Sequence, residues 1–206
     1  MKVLMINGSP HEAGSTFTAL SEMKKVFDAE GVEAEIVQVG HLDIPGCKAC
    51  GYCYKAGKCK FDDIVNEILP KVEEADGLVV GAPVYFASSN ATLNAFMDRL
   101  FYVMLRKDVR MKVGACVVSA RRGGLTSSFD QLNKYFTIAG MPVASSQYWN
   151  GIHGNNAEDA KQDAEGLQTM RTLANNMTFL MRSIQLGKEK FGLPELEKKT
   201  YTNFIR

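Results

Sequence analysis

Four cysteines, Cys47, Cys50, Cys53 and Cys59, fall within thirteen consecutive positions in the pattern C-x2-C-x2-C-x5-C. Two-residue steps bring thiolates close enough to share one metal ion or one cluster, and sulfur is a soft donor that selects iron–sulfur or zinc over hard cations. Lys48, Lys55, Lys58 and Lys60 surround the thiols. Their charge offsets that of a cluster or, without a metal, lowers thiol pKa values for redox exchange. Three readings therefore stand: an iron–sulfur cluster, zinc, or metal-free thiols. Cys116, inside an apolar run, reads as a small core residue.

A second constellation runs from Asn7 to Thr16 and includes Gly8, Ser9, His11, Gly14 and Ser15. It leaves an apolar segment of strand length and enters a helical pattern. A helix N-terminus presents unpaired N–H groups and a partial positive charge worth ~0.3–1 kcal/mol to an anion. Ser9, Ser15 and Thr16 add hydroxyl donors, so a phosphate fits. No lysine follows Gly14, which disfavours a P-loop and ATP hydrolysis, and G-x-G-x-x-G is absent, which disfavours a dinucleotide fingerprint. A terminal phosphate monoester matches better. The plainer alternative is a Gly/Ser turn that merely caps a helix.

Two further loops follow apolar segments. One holds Pro83, Val84, Tyr85 and Phe86, and the other Ser119, Ala120, Arg121, Arg122, Gly123 and Gly124. Proline stiffens a turn, the aromatics offer flat apolar surface, and the glycine pair permits close backbone approach with amides suited to polar ring edges.

These segments need a scaffold that gathers them. Strand-like runs at 2–7, 34–39, 77–82, 111–119 and 142–148 alternate with helical patterns along the whole chain. That alternation predicts a doubly wound, five-stranded parallel sheet with helices on both faces, in which ligands bind at the carboxyl edge. With strand order 2-1-3-4-5 the three loops meet there. Predicted helices start after Ser15 and Thr16 and end at Gly31, open at Asp62 and Asp63 with a break or kink at Pro70, run over 90–105, follow Gly124, and extend over 156–186. The region 1–187 reads as one domain, with a charged tail over 188–206. The Cys/Gly/Lys/Tyr stretch over 41–60 is far longer than the ~2–6 residues usual between a strand and a helix, which marks it as functional.

Composition narrows the partners. The chain has 206 residues, 46% hydrophobic and 23% charged, and 24 basic against 23 acidic residues give a net charge of +1. Such a chain is globular and carries no broad basic field for nucleic acid or a membrane surface. No apolar run approaches the ~20 residues of a bilayer span, and the first residues lack the pattern of an export signal. A cytoplasmic location with reduced thiols is expected.

The motifs Gly8-Ser-Pro-x-x-x-Gly14-Ser-Thr, Gly81-Ala-Pro-Val-Tyr-Phe, Leu93 through Asp98-Arg99, and Gly123-Gly124 together resemble the NADPH-dependent FMN reductase branch of the flavodoxin-like superfamily. The resemblance covers roughly residues 1–154. It implies that Ser9, His11, Ser15 and Thr16 surround an FMN phosphate, that Pro83, Val84, Tyr85 and Phe86 border the isoalloxazine, and that Ser119, Ala120, Arg122, Gly123 and Gly124 complete the ring site. His11 stands where family members often have arginine. The cysteine pattern resembles that of the iron–sulfur flavoproteins, a subgroup in which four cysteines hold a [4Fe–4S] cluster.

The implied activity is an FMN-dependent oxidoreductase that takes electrons from NAD(P)H and passes them to a small acceptor. The alternative is an electron carrier between ferredoxin-like partners. The resemblance also implies a homodimer or homotetramer. No side chain need act as a catalytic acid or base, because the flavin carries the chemistry. Four other features have plainer readings: His153 as a solvated loop residue, Trp149 as core or interface, Met170, Met177 and Met181 as core packing, and Arg121 with Arg122 as exposed arginines.

Overall fold

The computed structural model describes residues 1–202 and 204. The elements run β1 (Lys2–Asn7), α1 (Ser15–Ala29), β2 (Glu33–Gln38), α2 (Tyr52–Ala56), α3 (Ile64–Glu74), β3 (Gly77–Tyr85), β4 (Ser88–Ser89), α4 (Ala91–Met104), β5 (Val113–Ala120), α5 (Leu125–Ile138), β6 (Gly151–His153), α6 (Ala157–Gln162) and α7 (Ala164–Phe191). The parallel strands lie in the order β2-β1-β3-β5-β6, with the short β4 folded antiparallel onto the end of β3. This is the doubly wound, flavodoxin-like order that the sequence predicts.

Alternation along the strands explains the layering. Leu4, Ile6, Leu78, Val80, Cys116 and Val118 face one way and pack with α3, α4 and α5. Val3, Met5, Val79, Ala115 and Val117 face the other way and pack with α1 and α7. Strands covered on both sides read as continuous apolar runs, and each buried Val, Leu, Ile or Phe contributes about 1.5–3 kcal/mol. Cys116 and the methionines Met170, Met177 and Met181 are core residues.

Three local expectations are corrected. The predicted strand over 142–148 does not form. Val143 makes one parallel bridge with Gly114, and then Ser146 Oγ bonds the Tyr148 carbonyl and Asn150 Oδ1, turning the chain aside before β6 pairs with Val118–Ala120. Pro70 does not end α3, whose Val65, Ile68, Leu69 and Val72 are buried; the packing of that face outweighs the one backbone bond a proline removes. The last helical region is broken at Asp163, which caps α7 by accepting from Gly166 N, and α7 runs through Gly187 to Phe191. The end of the expected tail, at 203 and 205–206, lies outside the described residues. Among the described residues no helix is long and apolar enough to cross a membrane.

Candidate functional site

Strand register gathers the three loops. Asn7 is level with Gly81, Pro83 with Ser119, and Ala120 with His153, so β1, β3, β5 and β6 end at one edge. There a cleft of about 870 Å³ is lined by Ser9, His11, Ser15, Thr16, Pro83, Val84, Tyr85, Ser119 and Ala120. A volume of this size falls within the range of small-molecule and cofactor sites, ~300–1,000 Å³.

The turn after β1 is fixed from behind. Gly8 N donates to the Gly81 carbonyl at 2.8 Å, and a Cβ on Gly8 would lie 2.9 Å from that carbonyl oxygen and 2.6 Å from Leu93 Cδ2, so only glycine fits. Asn90 Nδ2 donates to the Gly8 carbonyl at 2.8 Å, and Gln38 Nε2 donates to the Ser9 carbonyl at 2.6 Å. Ser9 N donates to Asn7 Oδ1, and Ser9 Oγ accepts from His11 N at 3.1 Å. With both carbonyls tied to amide donors, their partial negative charge is offset where an anion would approach.

Gly14 stands at the N-cap of α1, where no side chain caps the helix and no acidic residue occupies the first turn. The helix therefore keeps unpaired N–H donors and its positive end for an anionic ligand. Ser15 Oγ points across the cleft and donates to the Asn156 carbonyl at 2.9 Å, while Thr16 Oγ1 and Ser119 Oγ are buried 2.7 Å apart. Between the last two hydroxyls one proton is shared and one remains available to donate. An uncapped helix end, a hydroxyl pair with one proton to spare and the adjoining Pro83, Val84 and Tyr85 suit a phosphate-terminated aromatic cofactor, so the residues present fit FMN.

Not every residue expected at the ring lies in this cleft. Arg122, Gly123 and Gly124 line a neighbouring pocket of about 370 Å³ together with Tyr148, Trp149 and His153, whereas Arg121 lines the cleft itself. Phe86 lines neither; it is fully exposed at the tip of the β3–β4 hairpin, where it and Ala87 adopt positive φ angles of 51° and 59°. Positive φ at both tip residues is the type I′ pattern, one of the two turns whose twist matches a two-residue hairpin. Gly124, with φ +90°, backs this hairpin, and a Cβ there would come within 2.7 Å of Ala87 Cα. His153 is largely solvated, with its N–H donating to Asp163 Oδ2 at 2.6 Å. The rim from Gly154 to Glu158, which no motif of the sequence marks, also joins the cleft because β6 ends at His153, one residue before it.

The four cysteines line one pocket, against the second half of α4. Arg99 is nine residues beyond Asn90, so at 1.5 Å per residue the thiols flank α4 roughly 13 Å along its axis from the turn between β1 and α1. Cys47 and Cys50 are exposed and Cys53 and Cys59 partly buried, and none forms a disulfide. Burial pushes the Cys53 thiol up, Arg106 opposes this, and Cys47 and Cys50 reinforce the rise. The Arg106 guanidinium lies 3.8 Å from the Tyr54 ring centroid. Among the described residues no three His, Cys, Asp or Glu side chains converge as ligands of one metal ion. A four-iron cluster takes one thiolate per iron and spreads its ligands more widely than a single ion does, so four soft donors around one basic pocket fit it.

Residues 1–156 match the NADPH-dependent FMN reductase family. The chain belongs to that family, and with it to the flavin-dependent oxidoreductases. It is 33% identical to an iron-sulfur flavoprotein of Methanocaldococcus jannaschii, over 90% of this chain and 100% of that one. It is 32% identical to an iron-sulfur flavoprotein of Methanosarcina thermophila, over 92% and 100%. In fold it is similar to RosB, solved with bound 8-demethyl-8-formylriboflavin 5′-phosphate, with a TM-score of 0.73 and 16% identity over 100% of this chain and 94% of that one.

Proposed function

We propose that the chain holds FMN in the carboxyl-edge cleft, accepts electrons from a nicotinamide dinucleotide, and passes them to a small acceptor of the quinone or free-flavin kind. FMN supplies the electron-accepting chemistry, and the protein supplies binding and electrostatics. The observation that carries this reading is the uncapped N-terminus of α1 opening on a cleft of about 870 Å³. In it the amides of the α1 first turn, with Ser9 and Thr16, hold the phosphate, and Pro83, Val84 and Tyr85 lie along the ring. Ser119 and Ala120 approach the polar edge of the ring, with amide donors offsetting negative charge that develops there.

The reading includes an iron–sulfur cluster on Cys47, Cys50, Cys53 and Cys59, supported by their common pocket and by the names of the relatives. That second centre favours the alternative of an electron carrier between ferredoxin-like redox proteins, with Lys48, Lys55, Lys58 and Lys60 available to a partner of opposite charge. The reading also includes a cytoplasmic homodimer or homotetramer, with the half-exposed Tyr148 and Trp149 available to a second copy.

Anaerobic purification followed by flavin analysis and steady-state assay tests these points. Bound FMN and sustained NADPH or NADH oxidation with a quinone support the enzyme. Reduction by a ferredoxin-like protein alone supports the carrier, and failure to bind FMN at micromolar concentration overturns both.

A further inference from the structure

The fourth cysteine is held differently from the other three. Cys47 and Cys50 are exposed, and Cys53 lies on the five-residue α2. Cys59 is pinned on both sides of its backbone by Asn66 of α3: its N–H donates to Asn66 Oδ1 at 2.8 Å and its carbonyl accepts from Asn66 Nδ2 at 3.0 Å. Its sulfur accepts a hydrogen bond from Arg99 Nε at 3.3 Å.

Arg99 cannot easily turn away. Its side chain is 1% exposed, and its Nη1 and Nη2 fork onto the two carboxylate oxygens of Asp63, each at 2.8 Å. Nη1 also donates to the Pro45 carbonyl at 3.3 Å, and the Phe61 ring centroid lies 4.9 Å from the guanidinium carbon. Asp63 is itself fixed as the N-cap of α3, accepting from Val65 N at 3.1 Å. The ion pair is complete with the two Nη groups, so the Nε proton is surplus to it, and that proton is directed at the sulfur. A guanidinium is always protonated and has no acceptor, so it can only donate there.

We infer that Arg99 is a positioning residue for the metal cluster, its Nε–H holding the Cys59 sulfur as a preset ligand and stabilising the reduced, more negative cluster. The inference rests on the reading that the four thiols carry an iron–sulfur cluster. Hydrogen bonds to cysteine sulfur are one of the levers that set a cluster's reduction potential. On one-electron reduction a cluster held there would gain one negative charge, with no bond to Cys59 broken and no proton moved. Arg99 keeps its positive charge and faces a more electron-rich sulfur, so the hydrogen bond strengthens and the potential is raised. Cys47, Cys50 and Cys53 have no such partner among the described residues.

Wild type, Arg99→Lys and Arg99→Gln are reconstituted anaerobically with iron and sulfide. Iron and acid-labile sulfide are measured first, then the cluster midpoint potential by redox titration followed by electron paramagnetic resonance. Loaded variants with a midpoint shifted to more negative values, further for Gln than for Lys, support the inference. A loaded variant with an unchanged midpoint overturns it, because a merely structural strut would lower stability and leave the potential alone. Should neither variant load, wild-type protein labelled with ¹⁵N-arginine decides: a ¹⁵N coupling to the reduced cluster, retained in Arg106→Gln, supports the contact and its absence overturns it. Wild type that takes up no iron and sulfide refutes the cluster reading itself, an outcome visible before any potential is measured.

Discussion

Thr16 and Ser119, 103 positions apart in the chain, share a buried hydrogen bond of 2.7 Å between their hydroxyls. The contact ties the first turn of α1 to the carboxyl end of β5, two elements that line the cleft side by side. Thr16→Val removes the hydroxyl at nearly constant shape and leaves Ser119 unpartnered, at a cost of about 1–3 kcal/mol. Ser119→Ala costs a similar amount. In urea unfolding of the flavin-free protein the double variant is expected to be less destabilised than the sum of the two singles, because the second change removes a group already unpaired. Strict additivity would show that the contact contributes nothing, and FMN affinity is expected to fall in each variant.

Gly124→Ala places a methyl group 2.7 Å from Ala87 Cα and 2.8 Å from Val84 Cγ1, at a φ of +90° that favours glycine. The hairpin carrying Tyr85 must shift. The expected loss of stability is about 1–3 kcal/mol, with weaker flavin binding and altered near-ultraviolet dichroism. Unchanged dichroism and affinity would show that the hairpin does not border the ring.

Replacing Cys50 by alanine is expected to abolish bound iron and its visible absorbance while leaving FMN in place. The thiol pocket and the turn between β1 and α1 lie at opposite ends of the α4 segment from Asn90 to Arg99, so loss of one centre need not disturb the other. Iron, sulfide and flavin analysis of the same preparation checks this. Iron retained at the wild-type level would remove Cys50 from the ligand set.

Glu22 of α1 reaches α7 through Arg171 at 2.6 Å and also contacts Lys25 on its own helix at 2.8 Å. Burial raises its carboxyl pKa, but the two cations outweigh burial and hold it below its ordinary 4.5. A carboxyl lowered in the folded state adds stability above its unfolded pKa, and that stability is lost as the pH falls through the folded value. Glu22→Gln is therefore expected to lower stability at neutral pH and to flatten the decline below about pH 4.5. Parallel pH profiles of the two proteins would show that the pair is not coupled to folding.

The chain pattern makes most of the scaffold legible. Unbroken apolar runs mark β1, β3 and β5, and helix periodicity marks α1, α3 and α4, because strands covered on both faces and helices covered on one leave distinct repeats. The edge was harder to read. Residues 142–148 have strand-like composition, yet the bonds of Ser146 to Tyr148 and Asn150 turn the chain aside, and side-chain bonds of that kind have no periodic signature. At the site, Gly8, Gly14 and the serines mark the turn between β1 and α1 by local spacing. The amide side chains of Gln38 and Asn90, which fix its carbonyls, come from 29 and 82 positions away and leave no local trace. The pairing of Asp63 with Arg99 is hidden for the same reason, since 36 positions separate them.

The interrupted edge at Val143 has a consequence for self-association. A long, regular outer strand offers a ladder of unpaired amides that another chain can extend, but here the last strand is only Gly151–His153 and is reached through a detour. On the opposite margin, β2 sets Glu33 and Glu35 outward, the latter paired with Lys71. Both borders of the sheet thus discourage ribbon-to-ribbon growth, and any partner must be met through helix faces and loop side chains.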